Sequence, residues 1–280
     1  MQKLVNFIKK ILLVFIFAYI AFCFTVYFKQ EWFFYNPSAV SSNLERAQEN
    51  GYPAERVEYN SADGTPLFAW HTKPTANKKM IVFMHGNSYN VEKFYIKLMP
   101  LQQAGYGTFL PEYRGFGGVK GKIAQKNLTA DAIAAIKYLN SQGYKNSDII
   151  VYGMSLGSHM ATNAVYELGQ HEHFARLILE VPFTTIVDVA RAHVPLPLPF
   201  EYIMPDKYDN ISKIKDIHTP LLIMGASEDK TVPVSLAKEL YSAAVEPKKL
   251  IVYDGGEHSN LYDFNNYMDI LSWLDTNEEN

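Results

Sequence analysis

Asp148-Ile149-Ile150-Val151-Tyr152-Gly153-Met154-Ser155-Leu156-Gly157-Ser158-His159 is the stretch whose reading decides the fold. A short β-branched run ends in Gly153-Met154-Ser155-Leu156-Gly157, and Ala161, Ala164, Val165 and Leu168 follow at helical spacing. The pattern predicts a strand, a sharp turn and a helix, with Ser155 at the apex. In a nucleophile elbow of this kind the serine backbone is strained so that its hydroxyl projects above the sheet. Glycines two residues to either side remove side chains that would collide with the neighbouring strand or helix. The helix that starts at the serine also brings its free N–H groups and positive dipole end to the reacting centre. A Gly-flanked serine can also simply cap a helix. The strand before it and the helix after it are the context that an elbow requires.

Working outward, the same rhythm repeats. Arg56 to Tyr59 and Leu67 to His71 read as two strands around the turn signal Ser61-Ala62-Asp63-Gly64. Met80 to Met84, Thr108 to Leu110, Leu177 to Val181, Pro220 to Met224 and Leu250 to Tyr253 read as short, mostly apolar strands. Between them lie helical spacings: Val91 to Leu101, Leu128 to Leu139, Val234 to Val245 and Leu261 to Leu274. Leu44 to Gly51 reads as a short helix ahead of the series. Apolar strands alternating with amphipathic helices predict an α/β fold, a mostly parallel sheet covered on both faces. The early pair of strands predicts an antiparallel edge. Pro182 to Lys215 breaks the rhythm and reads as an insertion over the carboxyl ends of the strands. No internal repeat or Gly/Ser-rich linker divides the body.

A serine nucleophile needs a base to take its proton, and the base needs a carboxylate to fix its tautomer. In parallel sheets these groups belong in the loops after the strands. Gly225-Ala226-Ser227-Glu228-Asp229-Lys230-Thr231-Val232-Pro233 follows one strand, and Asp254-Gly255-Gly256-Glu257-His258-Ser259 follows the next. Ser155, Asp229 and His258 are therefore the candidate catalytic residues, with Glu228 as the rival acid. Other histidines fit blander roles. His159, one turn along the elbow helix, reads as a packed histidine, and His85 as a turn residue bonded within its own loop. His171 and His173 lack further ligands and read as surface histidines rather than a zinc pair. Arg114 reads as a brace for its loop.

From about Arg56 to Leu274 the chain resembles the α/β-hydrolase superfamily, and within it the single-pass, ABHD-type serine hydrolases. The resemblance rests on His85-Gly86-Asn87-Ser88, Tyr113-Arg114-Gly115-Phe116-Gly117, the Ser155 elbow, Asp-x-x-Val-Pro at Asp229 and Gly-Gly-x-His at His258. Their chain order, Ser, Asp, His, is that of the superfamily. The resemblance implies that the backbone N–H groups of Asn87 and Leu156 form the oxyanion hole. Val119 stands where relatives often carry serine or threonine, and Gly225-Ala226 where they often carry His-Gly. Both departures bear on the subfamily and leave the three candidate catalytic residues in place.

The N-terminus carries a separate signal. Ile11 to Phe28 is an uninterrupted run of 18 residues without a charge or a proline, long enough to cross a hydrocarbon core. Lys3, Lys9 and Lys10 precede it, and Trp32, Phe33, Phe34 and Tyr35 follow as an interfacial belt. The lysine asymmetry predicts a cytoplasmic N-terminus and an extracytoplasmic body. No small-x-small cleavage site follows the run, so a retained signal anchor is expected over a cleaved signal peptide. The expected organisation is a tip and transmembrane anchor over 1–30 and a hydrolase domain over 31–280, with a lid insertion over about 182–215.

Composition narrows the partners. Net charge is −3, and the body has no run of lysines or arginines, which argues against nucleic acid. The single cysteine, Cys23, excludes an intrachain disulfide or a multi-cysteine metal site. No phosphate-binding glycine loop is present, so neither a cofactor nor a metal is expected. The expected activity is hydrolysis of an ester or thioester, with lipid-like substrates among those expected, through an acyl-enzyme. Two alternatives stay open. A peptidase of the prolyl-aminopeptidase-like branch would need a carboxylate for a substrate amine, for which Glu180, Glu201 and Asp206 are candidates. A non-catalytic binding protein on the same fold is the other. The lid stretch His193-Val194-Pro195-Leu196-Pro197-Leu198-Pro199-Phe200 predicts an extended, apolar segment, because alternate prolines forbid a helix.

Overall fold

The computed structural model describes residues 1–75, 77–170, 172–194 and 196–276. His171 and Pro195 lie outside the described residues. The sheet has eight strands: β1 (Glu55–Asn60), β2 (Pro66–Thr72), β3 (Met80–Met84), β4 (Gly107–Glu112), β5 (Ile149–Met154), β6 (Arg176–Glu180), β7 (Leu221–Ala226) and β8 (Lys248–Tyr253). Their spatial order is β8-β7-β6-β5-β3-β4-β2-β1. β2 runs antiparallel to both neighbours, and every other pair is parallel. All eight expected strands are present, most of them a residue or two longer than the apolar run that marks them.

Period-two alternation sorts each strand's side chains between two cores. On β5, Ile149 and Val151 face one core, and Ile150, Tyr152 and Met154 face the other. The first core is closed by α3 (Gln125–Ser141) and α4 (Leu156–Leu168), with α1 (Gln2–Lys29) at its margin and α2 (Tyr95–Gln103) on the opposite face of the sheet. After α4, α5 (Ile186–His193) opens the insertion, and α6 (Val234–Ala243) and α7 (Asn266–Leu274) complete the two layers. A strand buried on both faces has no solvent side to signal with polar residues, which is why β3, β5 and β7 read as continuous apolar runs.

Two elements differ from the sequence expectation. The predicted final helix breaks at Asn265, which adopts a left-handed conformation (φ 57°) between a 3₁₀ turn, Leu261–Phe264, and α7. Asparagine tolerates that conformation better than most residues. Likewise, a 3₁₀ turn over Val91–Lys93 precedes α2, so that helix starts later than its apolar spacing suggests. The insertion holds α5 and two single-turn helices, Phe200–Ile203 and Ile211–Ile214, with Val194 and residues 196–199 of the proline-rich segment non-helical as expected.

α1 is long and apolar enough to cross a membrane. Most of it is exposed, but one face of its C-terminal end is not: Val26 is buried in the first core and Gln30 is buried just beyond. Burying one valine contributes about 1.5–2 kcal/mol, enough to make this a specific seat rather than a grazing contact. Tyr19 Oη donates to the Pro197 carbonyl (3.0 Å), fixing the helix to the insertion a further two turns up. The segment after the helix then pairs in parallel with the loop following β3, Asn36 opposite Ser88 and Pro37 opposite Tyr89.

Candidate active site

The chain leaves β3 toward β4 on one side and returns to place β5 on the other. Such a reversal of strand order opens a crevice at the strands' carboxyl ends. The loop after β3 and the turn after β5 therefore face each other across it. Ser155 occupies that turn with φ 53° and ψ −121°, a conformation costing about 1–3 kcal/mol that the surroundings must impose. They do so through the Ser155 N–H, which donates to the Glu180 carbonyl at the end of β6 (2.9 Å). A Cβ on Gly157 would collide with the Met84 carbonyl, and one on Gly153 with the Gly157 carbonyl. Both glycines of the turn are thus required by close approach of backbone.

Asp229 and His258 come from the loops after β7 and β8. Asp229 Oδ1 accepts the N–H groups of Thr231 and Val232, both at 2.7 Å. Its Oδ2 lies 2.7 Å from His258 Nδ1, and His258 Nε2 lies 2.9 Å from Ser155 Oγ. With Nδ1 donating to the carboxylate, Nε2 is left as acceptor for the serine hydroxyl. Glu228 points elsewhere; its backbone N–H closes the loop onto the Gly256 carbonyl (2.8 Å), and its side chain is exposed.

Asn87 sits opposite Ser155. Its carbonyl accepts the Asn36 N–H (2.9 Å) and its side-chain amide donates to the Phe34 carbonyl (2.6 Å). Neither bond uses the Asn87 backbone N–H. Leu156, the first residue of α4, has no acceptor one turn back for its own N–H. The loop is braced from beneath. Buried His85 places Nδ1 2.9 Å from the Gly86 carbonyl and Nε2 3.1 Å from Glu112 Oε1, while Glu112 Oε2 accepts the Val91 N–H (3.1 Å).

The remaining singled-out residues are structural. His159 is fully buried, with Nδ1 2.9 Å from Asn210 Oδ1, and burial pushes its pKa down to about 4. Arg114 joins two carboxylates, Asp131 (2.6 Å) and Asp63 (2.6 Å), tying its loop to α3 and to the β1–β2 turn. That guanidinium holds the Asp63 carboxyl well below the usual carboxylate range. Glu180 is buried beneath the elbow and taken up by Lys97 Nζ (2.6 Å), the Tyr152 hydroxyl and Asn266. Glu201 pairs with Arg191, and Asp206 accepts the Gln125 N–H (2.9 Å). No group of three or more His, Cys, Asp or Glu with metal-binding geometry occurs among the described residues.

Ser155 opens into a cavity of about 330 Å³. Ile186, Val189, Leu198 and Phe200 of the insertion line one side, and Phe22, Val26, Phe33 and Phe34 line another. No carboxylate is among its lining residues within the described chain. The Thr231 and Val232 N–H groups that fix Asp229, and the wall supplied by the N-terminal segment, were not singled out from sequence. The Asp-x-x-Val spacing carried the first signal; the second had none, because α1 is apolar on every face. A larger cavity of about 500 Å³ lies against β1, β2 and the 117–120 loop, away from any nucleophile–base pair.

Comparison with known proteins agrees with this architecture. The family described as Serine aminopeptidase, S33 matches residues 75–201. An uncharacterized Mycobacterium tuberculosis protein, Rv2307c, is 32% identical over 212 residues, covering 74% of each chain. The lysophosphatidylserine lipase ABHD12 of Macaca fascicularis is 29% identical over 208 residues, 67% of this chain and 51% of that one. Among solved structures, the Pyrococcus furiosus esterase Pf2001 superposes with a TM-score of 0.68 at 19% identity, covering 85% of this chain and 97% of that chain. The reversed strand order, the strained serine turn and these relatives together make the chain a member of the α/β-hydrolase superfamily.

Proposed function

We propose that the protein is a serine hydrolase that cleaves a carboxylic ester or thioester with a lipid-like acyl group. The observation that carries this reading is the continuous chain Ser155 Oγ, His258, Asp229 opening into an apolar cavity. Ser155 Oγ attacks the acyl carbon while its proton passes to His258 Nε2. The carbonyl oxygen becomes an oxyanion facing the Asn87 and Leu156 N–H groups, each such donor contributing about 2.7–4 kcal/mol where it has been removed in other enzymes. Collapse breaks the bond to the leaving alcohol or thiol, which departs with the proton from His258. Water then attacks the acyl-enzyme, His258 takes its proton, and the second collapse returns that proton to Ser155 and releases the acid. Asp229 holds the imidazole tautomer and stabilises its charged form throughout. Water and these side chains supply every proton and bond, so no metal or organic cofactor enters the route.

Two relatives support an ester substrate: one is a lysophosphatidylserine lipase and another an esterase. A peptidase reading is favoured by the family description alone. Against it, an amine-binding carboxylate is absent from the lining of the cavity, and Glu180, Glu201 and Asp206 are each bound elsewhere. We further divide the chain into an anchor over 1–30 and a hydrolase domain over 31–280, with the lid over about 182–215. The anchor is read as a single membrane span with the N-terminus cytoplasmic, from Lys3, Lys9 and Lys10 before the apolar run. A panel of acyl esters, thioesters and aminoacyl amides tests the activity. Turnover of esters or thioesters is expected, and exclusive cleavage of aminoacyl amides would replace this reading with the peptidase one.

A further inference from the structure

The insertion walls only part of the Ser155 cavity; α1 and the segment after it supply the rest. Tyr19, Phe22, Cys23, Val26 and Gln30 recur at the spacing of one helical face, and that face is the one turned to the hydrolase body. Phe24 and Phe28 lie off this stripe and are more exposed, 60% and 64% against 39% for Phe22. The seat is fixed at both ends. Tyr19 Oη bonds the lid backbone at Pro197, and beyond the helix Phe34 and Asn36 clasp the side chain and carbonyl of Asn87 (2.6 and 2.9 Å). The Tyr35 hydroxyl meets that of buried Tyr208. A passive tether needs none of these contacts.

Depth follows from helix geometry. If Ile11 to Phe28 crosses the hydrocarbon, Phe22 and Val26 lie within its last two turns, roughly 10 Å or less from the interface at ~1.5 Å per residue. A lipid carries its ester groups at that boundary and its chains on the hydrocarbon side. We propose that the last two turns of the membrane helix form a wall of the acyl pocket. The acyl chain of a bilayer lipid then reaches Ser155 sideways, lying along the Phe22–Val26 face without passing through water. The proposal rests on the serine-hydrolase reading and adds the substrate's source and the residues that select its chain.

The test uses the full-length protein in phosphatidylcholine vesicles, with 4-nitrophenyl dodecanoate and 4-nitrophenyl acetate as substrates. The readout is the ratio of kcat/KM for the long ester to that for the short one. Phe22→Trp and Val26→Trp should each lower the ratio about tenfold, the equivalent of losing roughly two buried methylenes. Phe24→Trp, facing lipid, should leave it unchanged. A misfolded fraction lowers both rates together and does not move the ratio. Dodecanoate turnover should also follow the ester's mole fraction in the bilayer at fixed aqueous concentration. Wild-type cleavage of both esters through Ser155, with a ratio indifferent to Phe22 and Val26, would overturn the proposal and leave the hydrolase reading intact. Turnover that tracks the aqueous concentration would overturn the bilayer source. Failure to cleave either ester would remove the hydrolase reading itself.

Discussion

At position 229 a carboxylate is held by three donors, and the adjacent Glu228 has none of them. The preference for Asp229 over Glu228 rested on the Asp-x-x-Val-Pro spacing; the two backbone N–H groups two and three residues after the aspartate, which that spacing puts within reach of a short side chain, were not read from it. A glutamate one position earlier is longer and faces solvent. Asp229→Asn should lower kcat by about 10³–10⁴-fold, since an amide cannot both hold the His258 tautomer and stabilise its charge. Glu228→Gln should change kcat by less than about threefold, as expected for an exposed side chain with no role in the proton path. Steady-state kinetics on one ester decides it, and the reverse ranking would move the acid to Glu228. The roles of His85 and Arg114 were likewise readable as loop bracing, but their partners Glu112, Asp63 and Asp131 were not. Those contacts join residues from different strands and loops, and pairing across such distances leaves no mark in local sequence.

At the scale of elements, strands were read well because each is a short apolar run bounded by turn residues. Helix ends were read less well. Apolar spacing runs unbroken from Leu261 to Leu274, yet the chain turns at Asn265, and Asn266 thereby reaches Glu180 (3.3 Å). That break answers a buried carboxylate on another strand, which spacing cannot register. The contact of α4 with the lid yields a pH prediction. His159 bonds Asn210 in the insertion, and burial lowers its pKa from 6.5 to about 4. An unfolded chain therefore binds a proton that the folded one refuses between those values. The stability is complete above about pH 6.5 and is lost as pH falls toward 4, by about 2 kcal/mol between pH 7 and pH 5. The apparent Tm of detergent-solubilised protein should fall over that range, and His159→Gln should flatten the fall. Parallel curves for the two proteins would contradict it.

For the whole molecule, the superfamily fold was evident in the order of its motifs, whereas the join between helix and body was not. A helix apolar on every face gives no sign of which face a partner covers. The buried Val26, the Tyr19 bond and the Asn36–Ser88 pairing make α1 and the hydrolase body one packed unit at that end. If the lysine asymmetry sets orientation, protease added to intact cells or spheroplasts should digest the body while sparing the lysine-rich tip. Protection of the body would reverse the orientation, and a soluble form lacking Ile11 to Phe28 would indicate cleavage.

The proposed activity depends on Ser155 as the nucleophile of an acyl-transfer route. Its most direct test is peptide mapping by mass spectrometry after a fluorophosphonate probe reacts with the full-length protein in membranes. One adduct is expected, on the peptide carrying Ser155, with both adduct and ester turnover lost in Ser155→Ala. A Ser155→Ala protein that is still labelled, and hydrolyses ester at the wild-type rate, would contradict it.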